Sequence, residues 1–79
     1  MEFVLYSRAG CHLCDEMLAE LAPLLEGRAV AVRVVDVDGN RELKRRYGLR
    51  IPVLTVDGDE ICSARLVPER IRALLRAAD

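Results

Sequence analysis

Two cysteines at C-x-x-C spacing, Cys11 and Cys14, are the residues of this sequence best suited to chemistry. They follow an apolar run over residues 3–6 and precede a helical pattern, so they lie at a predicted strand-to-helix junction. Thiols at this spacing can close into a disulfide and open again, and the positive end of the helix dipole favours a thiolate at the first of them. The pattern predicts a redox pair in which Cys11 is the nucleophile and Cys14 is the resolving thiol.

A C-x-x-C pair is also half of many structural zinc sites, which is the alternative chemistry for these residues. A tetrahedral site needs two further ligands, usually a second cysteine or histidine pair at short spacing. The sequence offers only Cys62, alone in its region, and His12, which lies between the two cysteines and is poorly placed to join both on one ion. We therefore predict redox chemistry and no metal site.

The composition predicts one small domain with balanced charge. We expect the 79 residues to form a single domain over 1–79, and a hydrophobic content of 52% is enough for one core. Twelve basic and thirteen acidic residues give a net charge of -1, which predicts binding to neither nucleic acid nor membrane. Three cysteines do not resemble a secreted disulfide framework, and the first residues carry no signal-peptide pattern. We expect a cytoplasmic monomer.

Hydrophobic periodicity predicts strands and helices in the order β-α-β-α-β-β-α. A strand is expected over residues 3–7, followed by a helix that begins near Cys11 and ends before Gly27. The nearly continuous β-branched run over 30–37 predicts a second strand covered on both faces. The remaining predicted elements are a helix over 41–47, a strand over 52–56, a hairpin turn at Asp57-Gly58, a strand over 60–63 and a helix that starts at Pro68.

The segment from Tyr6 to Cys14 resembles the glutaredoxin signature. In that signature a strand ending in Tyr is followed by a basic residue three positions before the nucleophilic cysteine, and here the basic residue is Arg8. Ile51-Pro52 is similar to the Val-Pro of glutaredoxins and the Ile-Pro of thioredoxins. The resemblance extends over almost the whole chain, which is identified as a small glutaredoxin-like protein of the thioredoxin superfamily. It implies an α/β fold with a four-stranded mixed sheet flanked by helices.

The resemblance also implies an enzyme, a thiol-disulfide oxidoreductase that reduces protein or glutathione mixed disulfides. No cofactor is expected, although glutathione can serve as co-substrate. In this superfamily the proline equivalent to Pro52 follows a cis bond and faces the cysteine pair, so the resemblance implies a cis Ile51-Pro52 bond. It also implies that the Ile51 backbone is open to a substrate peptide or glutathione that binds as an added strand. Substrate contacts are expected from Arg8, His12, Leu13, Ile51, Pro52 and Ser63.

The roles of Arg8 and His12 each have two interpretations. A positive charge on Arg8, and on His12 when protonated, would favour the Cys11 thiolate further. In the plainer reading, Arg8 is an exposed loop residue that aids solubility and the His12 ring points into solvent.

The sequence departs from glutaredoxins after the last predicted strand. Glutaredoxins carry there a Gly-Gly pair, a small residue and an acid that hold glutathione, whereas this chain has Ile61-Cys62-Ser63-Ala64-Arg65. The departure leaves the electron donor open between glutathione and a thioredoxin-type reductase. Cys62 is either a buried small apolar residue or a thiol near the site that can be glutathionylated or form another disulfide.

Functions outside catalysis are the alternatives. A thioredoxin-like fold that keeps its cysteines can serve as a non-catalytic binding module. It can also carry an iron-sulfur cluster between two subunits, with Cys11 and outside thiols as ligands.

Overall fold

The computed structural model describes residues 1–78, and its elements follow the predicted order. The strands are β1 (Phe3–Ser7), β2 (Val32–Asp36), β3 (Val53–Val56) and β4 (Asp59–Ser63). The α-helices are α1 (His12–Leu25), α2 (Arg41–Tyr47) and α3 (Pro68–Ala78), and a short 3₁₀ turn at Val37–Gly39 precedes α2.

The strands form one four-stranded mixed sheet, as predicted, and their order in it is β2-β1-β3-β4. β1 runs parallel to β2 and antiparallel to β3, and β3 pairs with β4 as an antiparallel hairpin. The hairpin turns at Asp57 and Gly58, whose φ angles of 50° and 90° are the left-handed values required by a type I′ turn. Leu5 lies opposite Val34 on one side and Leu54 on the other, at the middle of the sheet.

The main core lies between one face of the sheet and the helices α1 and α3. Each helix buries a stripe at helical spacing, with Met17 and Leu21 in α1 and Ile71 and Leu75 in α3. The strand residues of this core are Phe3, Leu5, Leu54, Val56 and Cys62. Removing a large apolar side chain from water contributes about 1.5–3 kcal/mol, so this core supplies most of the stabilisation.

The helix α2 covers part of the opposite face of the sheet. The buried residues there are Val37, Tyr47 and Val53. Tyr47 stacks on Tyr6 with ring centroids 4.3 Å apart, and the guanidinium groups of Arg46 and Arg50 lie 5.9 and 5.7 Å from the centre of the Tyr47 ring. The Tyr6–Tyr47 stack joins α2 to the end of β1, where the cysteine loop begins, and the two cation-π contacts hold the Tyr47 ring within α2 and the residues that follow it.

The prediction that the second strand is covered on both faces was wrong. The valine run over 30–37 predicted a strand covered on both faces, whereas β2 spans only Val32–Asp36 and Val34 is 50% exposed. The reason is the strand order, which places β2 at an edge of the sheet. The helices α1 and α3 pack mainly against β1 and β3, so the edge strand remains half open to water.

The helix α1 ends at Leu25, two residues after Pro23. A proline at this place lacks the N–H that would bond to the Ala19 carbonyl, which weakens the last turn of the helix. None of the helices within residues 1–78 is long and apolar enough to span a membrane.

The helices that flank the sheet differ in charge. α1 contains Asp15, Glu16 and Glu20 and neither lysine nor arginine. The last turn of α2 contains Lys44, Arg45 and Arg46. α3, on the same face of the sheet as α1, carries Arg70, Arg72 and Arg76 against Glu69, so the carboxylates are concentrated on α1 and not on the whole of that face.

Candidate functional site

The cysteine pair lies where β1 passes into α1. The connecting turn is closed by a hydrogen bond from the Cys11 backbone N–H to the Arg8 carbonyl, with an N–O distance of 3.2 Å. Gly10 has a φ of 76°, a left-handed value that glycine adopts without steric cost. The turn delivers Cys11 in an extended conformation, with φ -83° and ψ 105°, to the N-cap position of α1.

Cys11 caps α1 through its sulfur. The Cys11 Sγ accepts a hydrogen bond from the Cys14 backbone N–H at 3.1 Å, the role that a serine or aspartate oxygen plays at most N-caps. The two sulfurs form a disulfide, and their Cα atoms lie 5.2 Å apart. A sulfur in this position faces the unpaired N–H groups of the first helical turn and the positive end of the helix dipole, and both favour a negative charge on it.

The two cysteines differ in exposure. Cys14 is 2% exposed, whereas Cys11 is only partly buried and reaches the surface. Cys11 is therefore the more accessible of the two cysteines.

Arg8 is directed toward α2 and the 3₁₀ turn. Its Nε and Nη2 donate to the two carboxylate oxygens of Asp38 at 2.8 and 3.1 Å, and its Nη1 lies 3.5 Å from the Gly48 carbonyl oxygen. The hydrogen bond from Arg8 lowers the pKa of Asp38 below its ordinary value. Because Asp38 balances its charge, Arg8 serves here mainly to tie the cysteine loop to the neighbouring turn.

His12 lies at the surface, in the first position of α1. Its side chain is 87% exposed, and its Nε2 lies 3.3 Å from Oε1 of Glu16 one turn further along the helix. The ring is thus oriented along α1 and into solvent, as in the plainer of the two readings.

The Ile51-Pro52 peptide bond is cis, which confirms the prediction made from the resemblance. Pro52 is buried, and its carbonyl accepts a hydrogen bond from the Ala64 N–H at 2.8 Å. Ile51 lies just before β3. Among the turn and loop hydrogen bonds between backbone groups of residues 1–78, none involves Ile51.

Sheet register brings the remaining site residues toward the cysteine loop. Tyr6, Val53 and Ser63 lie side by side on β1, β3 and β4. Ile51 and Pro52 precede Val53, and the cysteine loop follows β1, so all of these segments meet at one end of the sheet.

Leu13, the second residue between the cysteines, is 51% exposed. It stands at one end of a groove of about 630 Å³ between α1 and the segment that follows β4, which we call the α1 groove. The groove is lined by Leu13, Glu16, Met17, Ala19, Glu20, Ala64, Arg65 and Leu66.

Cys62 is buried in the main core, where it is 3% exposed. Its sulfur accepts a hydrogen bond from the Val67 backbone N–H at 3.4 Å. Of the two readings of Cys62, the structure supports the buried small apolar residue.

Three features of the site were missed by sequence reasoning. Asp38 pairs with Arg8 across 30 residues of sequence, and no local pattern indicates such a contact. A Cβ at Gly48 would collide with the Lys44 carbonyl oxygen and crowd the Arg8 guanidinium, a restriction that is visible only once Arg8 is placed. Ala64 has a positive φ of 64°, and an alanine in the sequence gives no indication of a left-handed backbone.

Within residues 1–78, no three side chains of His, Cys, Asp or Glu come together in a way that could hold a metal ion.

The fold and the site together define a class. A four-stranded mixed sheet with α1 and α3 on one face and α2 on the other, and a cysteine pair at the start of α1, is a thioredoxin-like protein of the glutaredoxin type. The chain belongs to the family described as Glutaredoxin-like domain (DUF836), whose model matches residues 2–76.

Known proteins agree with this assignment. The uncharacterized protein Rv0508 of Mycobacterium tuberculosis H37Rv is 34% identical over 74 residues, which cover 87% of this chain and 76% of that protein. The solution structure of protein Ne2328 from Nitrosomonas europaea is 41% identical, with a TM-score of 0.81, and the match covers 92% of this chain and 88% of the other. Thioredoxin 1 from Thermosipho africanus, with a TM-score of 0.66 over 99% of this chain and 98% of the other, is similar in fold at 18% identity.

Proposed function

We propose that this protein is a thiol-disulfide oxidoreductase that reduces protein disulfides or glutathione mixed disulfides. The observation that carries the proposal is the asymmetry of the cysteine pair. Cys11 is partly exposed and its sulfur caps a helix, while Cys14 is buried one turn away and within bonding reach of it.

The asymmetry supports different roles for the two thiols. In the reduced protein, the Cys11 thiolate attacks one sulfur of the substrate disulfide, forms a mixed disulfide and releases the other substrate sulfur as a thiolate that takes up a proton. Cys14 then loses its proton and attacks the Cys11 sulfur. The second substrate thiol leaves, and the protein is left in the Cys11–Cys14 disulfide form. Two electrons pass from the protein to the substrate.

The start of α1 is the main support for the Cys11 thiolate. A free cysteine, with a pKa of about 8.5, is mostly protonated at neutral pH, and a helix N-terminus lowers that value. The contribution of Arg8 is reduced because Asp38 already accepts two of its hydrogen bonds. The Cys14 N–H, which already donates to the Cys11 sulfur, is placed to stabilise the anion directly.

The end of the sheet beside the cysteines is the proposed substrate platform. Ile51 offers backbone groups free of loop hydrogen bonds, Leu13 offers an exposed apolar side chain, and Ser63 lies at the matching end of β4. An extended substrate segment could bind there through backbone hydrogen bonds and place its disulfide against Cys11.

Single-cysteine variants test the roles of the two thiols. Cys11→Ser is expected to abolish reduction of any disulfide substrate. Cys14→Ser is expected to lose reduction of intramolecular protein disulfides but to keep some activity on glutathione mixed disulfides, because glutathione can resolve the Cys11 mixed disulfide from outside. Activity that survives in Cys11→Ser would contradict the proposal.

The electron donor is tested separately. The oxidised protein is mixed with glutathione in one experiment and with a thioredoxin reductase system in another, and the free thiols formed are counted by alkylation and mass spectrometry. The donor that reduces Cys11–Cys14 assigns the protein to one of the two electron pathways.

A further inference from the structure

The α1 groove begins at the redox site and continues along the helix. Leu13 lies between the two cysteines in sequence and is at the same time a wall residue of the groove. Glu16 and Glu20 form the next part of the wall that α1 contributes. They are four residues apart and therefore lie on the same side of the helix in successive turns. A substrate segment bound in the groove therefore lies next to the cysteine loop.

The base of the α1 groove is apolar. Met17 and Leu66 are core residues whose outer surfaces line it, and Ala19 and Ala64 have side chains too small to close it. The volume of about 630 Å³ lies in the range of sites that hold small ligands, of about 300–1,000 Å³. An apolar side chain of a substrate can be buried there beside Leu13.

The helical wall of the groove is negatively charged. Glu20 has no hydrogen-bond or ion-pair partner among residues 1–78, and the only such partner of Glu16 there is the exposed His12 ring. Arg65 stands among the groove residues without an acidic partner in the described chain and supplies one positive charge against two negative ones. Asp15 adds a further negative charge on α1. Between His12 and Leu25, the helix contains no lysine or arginine.

We propose that the α1 groove selects protein disulfides in which the reactive cysteine is flanked by an apolar residue and then a basic residue. The apolar side chain packs on Leu13 and Leu66, and the basic side chain pairs with Glu16 and Glu20. Glutathione, which carries two carboxylates and one ammonium group, places net negative charge near the same wall and is disfavoured. This inference rests on the proposed function, because it names the substrate class of the same site.

The test uses three symmetrical peptide disulfides that differ only in one residue. Each peptide has one cysteine preceded by a leucine, and the residue before the leucine is lysine, glutamine or glutamate. The reduced protein is mixed with each peptide disulfide, and the peptide thiols released are measured by chromatography at low and at physiological salt. Each rate is divided by the rate of the same peptide disulfide with a small free thiol, which removes differences in intrinsic reactivity.

We expect the lysine peptide to be reduced fastest and the glutamate peptide slowest, with the difference shrinking as salt increases. Glu16→Gln and Glu20→Gln should each lower the ratio of the lysine rate to the glutamine rate by about two- to fivefold, the range expected for one exposed ion pair. Glu42→Gln, on α2 and on the other face of the sheet, is the matched control and should leave this ratio unchanged.

The possible failures can be told apart. If none of the peptides is reduced, the proposed oxidoreductase function fails, and the substrate class fails with it. Equal normalised rates for the three peptides, or a lysine preference that both glutamine variants retain, would overturn the groove proposal alone. A preference for the glutamate peptide that disappears in Arg65→Gln would also overturn it, because Arg65 would then set the specificity.

Discussion

Cys62 allows packing and redox roles to be separated in one variant. Its side chain is 3% exposed, and its sulfur accepts the part-buried Val67 N–H. Cys62→Ala removes a buried group about the size of a methyl and leaves a small cavity, at a cost of about 1 kcal/mol. Leaving the Val67 N–H without its acceptor adds about 1 kcal/mol. The expected loss in the free energy of unfolding is therefore about 2 kcal/mol.

Urea unfolding of the oxidised protein, followed by far-UV circular dichroism, measures this loss. For a domain of this size, 2 kcal/mol corresponds to a decrease in Tm of roughly 10 °C. Cys62→Ser keeps an acceptor near the Val67 N–H, so comparing the two variants separates the cavity from the lost hydrogen bond. The slope m should stay unchanged, because the core remains closed.

Disulfide reduction by the same variant is measured well below its Tm. We expect the rate per folded molecule to equal that of the parent protein, because Cys62 packs in the core and takes no part in the exchange. The reasoning would be refuted by a Cys62→Ala protein that unfolds like its parent, or by one that is folded but has lost its reductase activity.

Three further predictions concern the residues around the site. Gly48→Ala should lower stability by about 1–3 kcal/mol in urea titrations, because its Cβ would collide with the Lys44 carbonyl and crowd Arg8, and an unchanged midpoint would contradict this packing. Ala64→Gly should stabilise the fold by up to about 1 kcal/mol, or leave the thermal midpoint unchanged. Glycine relieves the strain of a positive φ, but it also makes the unfolded chain more flexible, which offsets part of the gain. A clear decrease in the midpoint would argue against the left-handed conformation. The pKa of Asp38 is lowered by its hydrogen bond from Arg8, so the pair stabilises the fold above the ordinary aspartate pKa of about 3.9, and this contribution is lost as the pH falls through the lowered value. Asp38→Asn should therefore weaken the fall in stability on acidification, and urea midpoints that depend on pH as steeply as those of the parent would exclude the pair as a source of it.

Elements with strong local signals could be predicted from the sequence. Asn40 and Gly48 bracket α2, and the predicted bounds of that helix match the observed ones. Asp57-Gly58 requires left-handed backbone at both positions, which is the conformation that the structure has. The cis bond before Pro52 could be predicted only from the resemblance, because most bonds before proline are trans.

Features that depend on distant parts of the chain could not be predicted in this way. A run of valines is compatible with a central or an edge strand, and only the strand order shows that Val34 is half exposed. The partner of Arg8 comes from a segment 30 residues away, so the sequence could indicate a charge near Cys11 but not that Asp38 balances it. The α1 groove likewise exists only because the segment after β4 packs beside α1.

The charges of this chain are unevenly distributed although its net charge is only -1, because α1, which begins at the cysteine pair, carries three carboxylates and neither lysine nor arginine. A positively charged partner is attracted to such a local field before it touches the surface. Basic partners are thereby steered toward the helix that starts at the cysteine loop. Added salt should slow association with charged partners while leaving the exchange of sulfur bonds within the encounter complex unaffected.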